Sequence, residues 1–144
     1  EGYWFEDTIN AFLFNNAGWN IATIREVVYE WRRNTASISF SSKGKPKILD
    51  TVYVTLQLLK DREKLGLPLD NDFCKTLLHQ FKVNAVRVHS LGDKQTDYAN
   101  FIICKYLYIR YNLGKAELGN YHKEVSSTLA KNDYKSFILA CLCL

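Results

Sequence analysis

Apolar residues recur at helical spacing along most of the chain, which predicts an all-α fold. The first such stretch has one apolar face, made of Phe5, Ile9, Phe12 and Leu13. Gly18 is a typical residue at a helix end. A second amphipathic stretch begins directly after it, with Asn20 as the expected N-cap and Trp19 expected to pack on the first turn. We expect two helices joined by so short a turn to form a corner or hairpin.

Three further helices are predicted from the middle of the chain. Asp50 is the expected N-cap of one that Gly66 ends, and the next begins at Asp70 or Asn71. The stretch "NAVRVHSLGD" either continues that helix or forms a strand, because its valines alternate. The following helix is apolar on most sides near residues 101–107, which predicts a central position, and Gly114 is its expected end.

Two shorter helical patterns complete the chain, at "NYHKEVSSTLAKND" and "DYKSFILACLCL". The fold class expected is therefore all-α: one compact domain over residues 1–144 with six or seven helices, and room for a short extended segment near 36–42. Because the chain has no Met and ends in an apolar run, we expect it to be a piece of a longer protein.

Basic residues are unevenly distributed. The net charge is +4, yet residues 31–49 hold no acidic residue. This range includes a basic loop at about 34–47, in which Lys43, Lys45 and Lys47 are candidate contacts for an anion or a nucleic acid. A Walker A loop is excluded because Pro46 follows Gly44-Lys45 where Ser or Thr is required. The basic-directed kinase pattern in "RRNT" makes Thr35 a candidate phosphorylation site that would neutralise this patch.

Catalytic and metal-binding motifs are missing from the sequence. His79, His89 and His122 do not have metal-ligand spacing, and the four cysteines form no CxxC pair. Cys104 lies in the most apolar helix, which favours a buried, inert thiol over a nucleophile. We expect no cofactor, reduced thiols and an intracellular protein without a membrane span. An enzyme with no recognisable motif is the third-ranked alternative.

Nucleic-acid binding is the second-ranked function. Basic residues of 32–47 and 75–115 would contact the backbone, with Lys105 and Arg110 on the strongest helix. Four tyrosines share that helix, and we expect them to be core residues rather than base-stacking platforms: Tyr98, Tyr106, Tyr108 and Tyr111. "AGWNIATIREVV", residues 17–28, resembles a helix–helix corner in the RNA-binding nucleoproteins of some segmented negative-strand viruses; no site residue is carried over from it.

The leading hypothesis is a non-catalytic helical interaction domain. It would bind another macromolecule, a protein before a nucleic acid, through an aromatic groove with a basic rim. Tyr, Trp and Arg are favoured at the centres of such interfaces. The candidate partner-binding residues are accordingly Trp4, Tyr29, Trp31, Arg32 and Arg33.

Overall fold

The computed structural model describes residues 5–16, 22, 25–26 and 45–143. Every regular element in this part of the chain is helical, which confirms the predicted fold class. The α-helices are α1 (Glu6–Asn16), α2 (Asp50–Lys64), α3 (Asn71–His89), α4 (Lys94–Arg110), α5 (Asn120–Ala130) and α6 (Tyr134–Leu142). Short 3₁₀ turns span Pro46–Leu49 and Leu113–Lys115. The extended segment expected near 36–42 lies outside the described residues.

Aspartates begin three of the helices by capping free N–H groups. The side chains of Asp70, Asp93 and Asp133 accept from Phe73 N, Thr96 N and Ser136 N at 2.8, 3.0 and 3.1 Å. The cap predicted at Asp50 is wrong. The 3₁₀ turn from Pro46 runs directly into α2, so Asp50 is already helical and lies in the first turn. There it still opposes the positive end of the helix dipole.

α3 is the central helix of the described structure. It packs against α2, α4, α5 and α6, and "NAVRVHSLGD" continues it as helix as far as His89. Its buried side carries Phe73, Leu77, Leu78, Phe81, Ala85 and Val88. All of these except Val88 join Phe101, Val125, Leu129 and Phe137 from the later helices in one core. None of the described helices is both long and apolar enough to cross a membrane.

α4 is not central, contrary to the expectation from its composition. Phe101, Cys104 and Leu107 are buried on one side of the helix, while Ile102 and Ile109 on the other side are exposed. α3 occupies the central position, so α4 has neighbours on one side among the described helices.

The end of α4 also differs from the prediction, since it stops at Arg110 and not at Gly114. Asn112 takes the left-handed conformation that ends the helix, with φ of 53°. Gly114 is needed for another reason, because a Cβ there would lie 2.6 Å from the Tyr108 hydroxyl. Gly66, with φ of 63°, does end α2 as predicted.

A buried polar network joins α2 to α3 through Asn84. Its amide accepts from the Thr51 hydroxyl and donates to Thr55 Oγ1, both at 2.8 Å. Gln80 donates to the same Asn84 oxygen at 3.0 Å, and Arg87 donates to Thr51 Oγ1 at 2.9 Å. Because the network satisfies its polar groups away from water, it specifies how the two helices pair.

We predict that Asn84→Ala lowers the free energy of unfolding by about 2–4 kcal/mol, because it removes the buried acceptor of the Thr51 hydroxyl and the buried donor to Thr55 Oγ1. Urea unfolding followed by circular dichroism measures this loss. The matched control is the exposed Gln95→Ala on α4, which should change stability by less than about 0.5 kcal/mol. A loss at Asn84 no larger than the control's would contradict the role given to this network.

Candidate functional site

The outward side of α4 carries a row of exposed large apolar residues, which we name the α4 face. The exposed fractions are 51 % for Tyr98, 42 % for Ile102, 58 % for Tyr106 and 65 % for Ile109. At 3.6 residues per turn, these four positions fall within about 80° of the helix circumference. They form a continuous stripe along the helix.

The α4 face is large for the surface of a small domain. Full-size aromatic and aliphatic side chains contribute roughly 200 Å² each, so the exposed fractions leave on the order of 400 Å² open. Patches of that size on soluble proteins are often functional, whereas single exposed apolar residues are common and need no explanation. The stripe is therefore the strongest interaction surface in the described part of the chain.

Packing beneath the stripe holds its N-terminal end in place. The Tyr98 ring meets the Tyr134 ring edge-on, with centroids 5.3 Å apart, and lies 6.1 Å from the Phe101 ring. Phe101 in turn packs against Phe137 in the core, at 5.3 Å. A half-exposed ring anchored in this way loses little conformational entropy on binding, which suits an interface residue.

Basic side chains flank the α4 face. By helical position, Lys94 and Lys105 lie along one edge and Arg110 along the other. Arg110 donates to Tyr106 Oη at 3.3 Å and to Glu63 Oε1 on α2 at 3.0 Å. Arg110 is thus fixed against the stripe, and its charge is partly offset by Glu63.

Tyr111 completes this contact between α2 and α4. Its hydroxyl donates to Glu63 Oε1 at 2.8 Å. Hydrogen bonds from Tyr111 and Arg110 lower the pKa of Glu63, and hydrogen bonds to Tyr106 and Glu63 raise the pKa of Arg110. Both groups stay charged near neutral pH, so the net positive rim comes from Lys94 and Lys105.

An apolar groove of about 300 Å³ lies between α1, α2 and α3. Its apolar lining comes from Phe12, Leu58, Leu59, Phe73 and Leu77. The rim is mixed in charge, with Arg62 stacked over the Phe73 ring at 4.5 Å and both Asp70 and Asp72 nearby. This rim differs from the basic rim expected of a partner site.

The residues predicted to bind a partner, Trp4, Tyr29, Trp31, Arg32 and Arg33, lie outside the described residues, as do Lys43 and Thr35. Lys45 and Lys47 are exposed at the 3₁₀ turn that begins at Pro46 and leads into α2. Arg110 contacts Glu63 at the opposite end of α2. The helix between them is about 20 Å long, so Lys45 and Lys47 do not share a cluster with Arg110.

The expectation that the tyrosines of α4 are core residues holds in part. Tyr108 and Tyr111 are half-buried and pack against the core, but Tyr98 and Tyr106 are exposed. Sequence reasoning also missed Ile102, Ile109 and Lys94 as surface candidates. The available signal was that α4 carries more apolar residues than one buried face can use.

The histidines and cysteines occupy separate environments. His89 Nδ1 lies 2.7 Å from Asp97 Oδ2, joining the end of α3 to α4, but neither residue lines the groove. Within the described ranges no three potential metal ligands cluster, and all four cysteines are free thiols. Cys104 is buried, as predicted. Burial raises its pKa, and burial also raises the pKa of Cys141 to about 12.

We predict that a thiol reagent such as DTNB at about pH 8 modifies Cys143 quickly and Cys74, Cys104 and Cys141 slowly, because only the first is exposed and burial raises the pKa of the other three. The reaction is followed by thiolate release with and without denaturant. Cys143→Ala should remove the fast phase and leave the slow one. A fast phase that survives this substitution would contradict the assignment.

No protein-family model, curated protein or solved structure matches this chain. Among the described residues, the α4 face is the surface whose chemistry points most directly to a function.

Proposed function

We propose that the protein is a non-catalytic interaction domain that binds an amphipathic helix of a partner protein through the α4 face. The observation that supports this most directly is the exposed stripe from Tyr98 to Ile109 on a helix whose other side is packed into the core. Such a rigid, apolar helix face is suited to receive a second helix, whose side chains would cover it.

The composition of the stripe supports a protein partner. Tyrosine and arginine are enriched among the residues that dominate binding energies, and aliphatic neighbours exclude water around them. Here Tyr106 and Arg110 are hydrogen-bonded to each other and lie beside Ile109. Isoleucine side chains contribute apolar contact area but cannot form hydrogen bonds to the edges of nucleotide bases. This composition favours a protein partner over a nucleic acid.

The size of the face supports a short helix over a second copy of this chain. A stable protein interface buries about 800 Å² on each partner, roughly twice the area that the α4 face leaves open. One helix of three or four turns covers an area of this size. We therefore assign the face to a helical segment with apolar residues at i, i+3 or i+4, and i+7.

Charge complementarity defines the partner further. Lys94 and Lys105 lie along one edge of the stripe, and neither belongs to an ion pair found among the described residues. Acidic residues beside the apolar positions of the partner helix would face these lysines. Such contacts would add mainly to the association rate and to the orientation of the partner.

RNA or DNA binding is the second candidate, and one observation favours it. Tyr106 and Tyr98 are exposed on the face that also carries Lys105, an arrangement that can stack bases and contact phosphates. Arg110, however, already interacts with Glu63, which reduces its attraction for a phosphate. We rank this function below protein binding for that reason.

The test is selection from a displayed library of helical peptides with varied apolar and flanking positions. We predict enrichment of large apolar residues at i, i+4 and i+7 with Asp or Glu beside them. Peptides so selected should bind Ile102→Glu and Ile109→Glu at least about tenfold more weakly, because a charge would be buried against the peptide.

The matched control is Leu139→Glu, a charge placed at an equally exposed leucine on α6. The proposal would be contradicted if the selected peptides lost as much affinity for Leu139→Glu as for Ile102→Glu and Ile109→Glu. It would also be contradicted if the selected peptides showed no enrichment of Asp or Glu beside their apolar positions. A concentration-dependent dimer abolished by Ile109→Glu would assign the face to a second copy instead. Single-stranded RNA binding that falls steeply with salt and is lost in Lys105→Gln would favour the second candidate.

A further inference from the structure

Glu63 on α2 reaches the C-terminal end of the α4 face, on the edge opposite to Lys94 and Lys105. Two donors converge on its Oε1 atom. Arg110 Nη2 lies 3.0 Å away and the Tyr111 hydroxyl lies 2.8 Å away. The Glu63 carboxylate is therefore held at a defined place beside the stripe by two side chains of α4.

A further hydrogen bond ties this carboxylate to the stripe itself. Arg110 Nη1 donates to Tyr106 Oη at 3.3 Å, while Nη2 of the same guanidinium binds Glu63. The side chains of Arg110 and Glu63 are 49 % and 51 % exposed, so a partner can reach both. A partner side chain that covers Tyr106 would therefore meet both charges.

One oxygen of the Glu63 carboxylate is still available to a partner. Both hydrogen bonds go to Oε1, and none within the described part of the chain goes to Oε2. A carboxylate that approached Arg110 from a partner would meet the negative charge on this oxygen. To bind Arg110 it would have to displace Glu63, which would break the hydrogen bonds from Arg110 and Tyr111. A hydrogen-bond donor at the same place would instead find an acceptor.

The two edges of the stripe therefore differ in the side chains that they favour. Lys94 and Lys105 belong to none of the ion pairs found among the described residues, so their edge attracts acidic side chains. On the opposite edge the charge of Arg110 is already paired. Lys60 is exposed one turn before Glu63 on α2, so its influence has to be separated from that of Arg110.

We propose that Glu63 is a specificity-determining residue of the α4 face, which keeps acidic side chains of the partner helix away from Arg110 and confines them to the lysine edge. This inference rests on the proposed function, since it concerns the same partner helix. Like charges brought together in an interface oppose binding, so Glu63 acts by excluding wrong partners. Reversing the partner helix would exchange its two edges, so a single acidic edge also fixes its direction.

The test uses a helical peptide selected on the wild-type protein, with Glu or Gln placed singly at each position that flanks its apolar residues. We expect one position at which Glu binds the wild-type protein at least about threefold more weakly than Gln. Glu63→Gln retains an acceptor oxygen for Arg110 and Tyr111 but has no charge. On this variant the same Glu peptide should bind as tightly as the Gln peptide or more tightly. Fluorescence anisotropy at low ionic strength measures the affinities.

The matched control is Glu124→Gln, which removes an exposed carboxylate from α5 and should leave the discrimination unchanged. Adding Arg110→Gln to Glu63→Gln should abolish the gain in affinity for the Glu peptide, whereas adding Lys60→Gln should not. Circular dichroism of each variant shows that the fold is retained.

The role of Glu63 would be overturned if the ratio of Glu to Gln affinities at every position were the same for the wild-type protein and Glu63→Gln. A gain that depended on Lys60 would overturn it as well. Both results leave peptide binding to the α4 face intact. If the wild-type protein selected no helical peptide, the proposed function would itself be contradicted, and this inference with it.

Discussion

The fold depends on the burial of α3, which is enclosed by α2, α4, α5 and α6 in the described structure. Its apolar side chains supply the centre of the core, with Phe81 and Leu78 fully buried. Burying such side chains contributes about 1.5–3 kcal/mol each, so together these contacts outweigh any single polar interaction. Once α3 holds the centre, α2, α4, α5 and α6 each bury one side against it.

This constraint explains why α4 has an apolar outer side. Phe101, Cys104 and Leu107 fill its contact with the core, and nothing among the described helices covers Ile102, Tyr106 and Ile109. Exposed apolar area of this extent costs free energy in water. A partner helix that covered the α4 face would remove this apolar area from water and would therefore be bound with a favourable change in free energy.

Specificity of packing comes from polar contacts as well as from apolar ones. Asn84 fixes the pairing of α2 with α3, Glu63 joins α2 to the end of α4, and His89 joins α3 to Asp97 on α4. The first of these is buried, so it constrains the core; the second is exposed and orients Arg110 beside the α4 face. The α4 face thus lies on a helix whose position relative to α2 and α3 is held by side-chain hydrogen bonds.

Local signals in the sequence predicted much of the fold. The helical periodicity, the helix start at Asp70 or Asn71, and the stop at Gly66 depend on interactions within a few residues. The predicted cap at Asp50 was wrong because the preceding 3₁₀ turn leads directly into α2. The predicted end at Gly114 was wrong because Asn112 takes the left-handed conformation that ends α4.

By itself, the sequence determined that the chain forms amphipathic helices, that its thiols follow no metal-ligand pattern, and that basic residues outnumber acidic ones. Tertiary structure alone decided that α3 and not α4 is central, and that Tyr98 and Tyr106 are exposed while Tyr108 is packed. The reason is physical. Periodicity shows which residues share a face of a helix, but the choice of face to bury depends on which other helices compete for the same core.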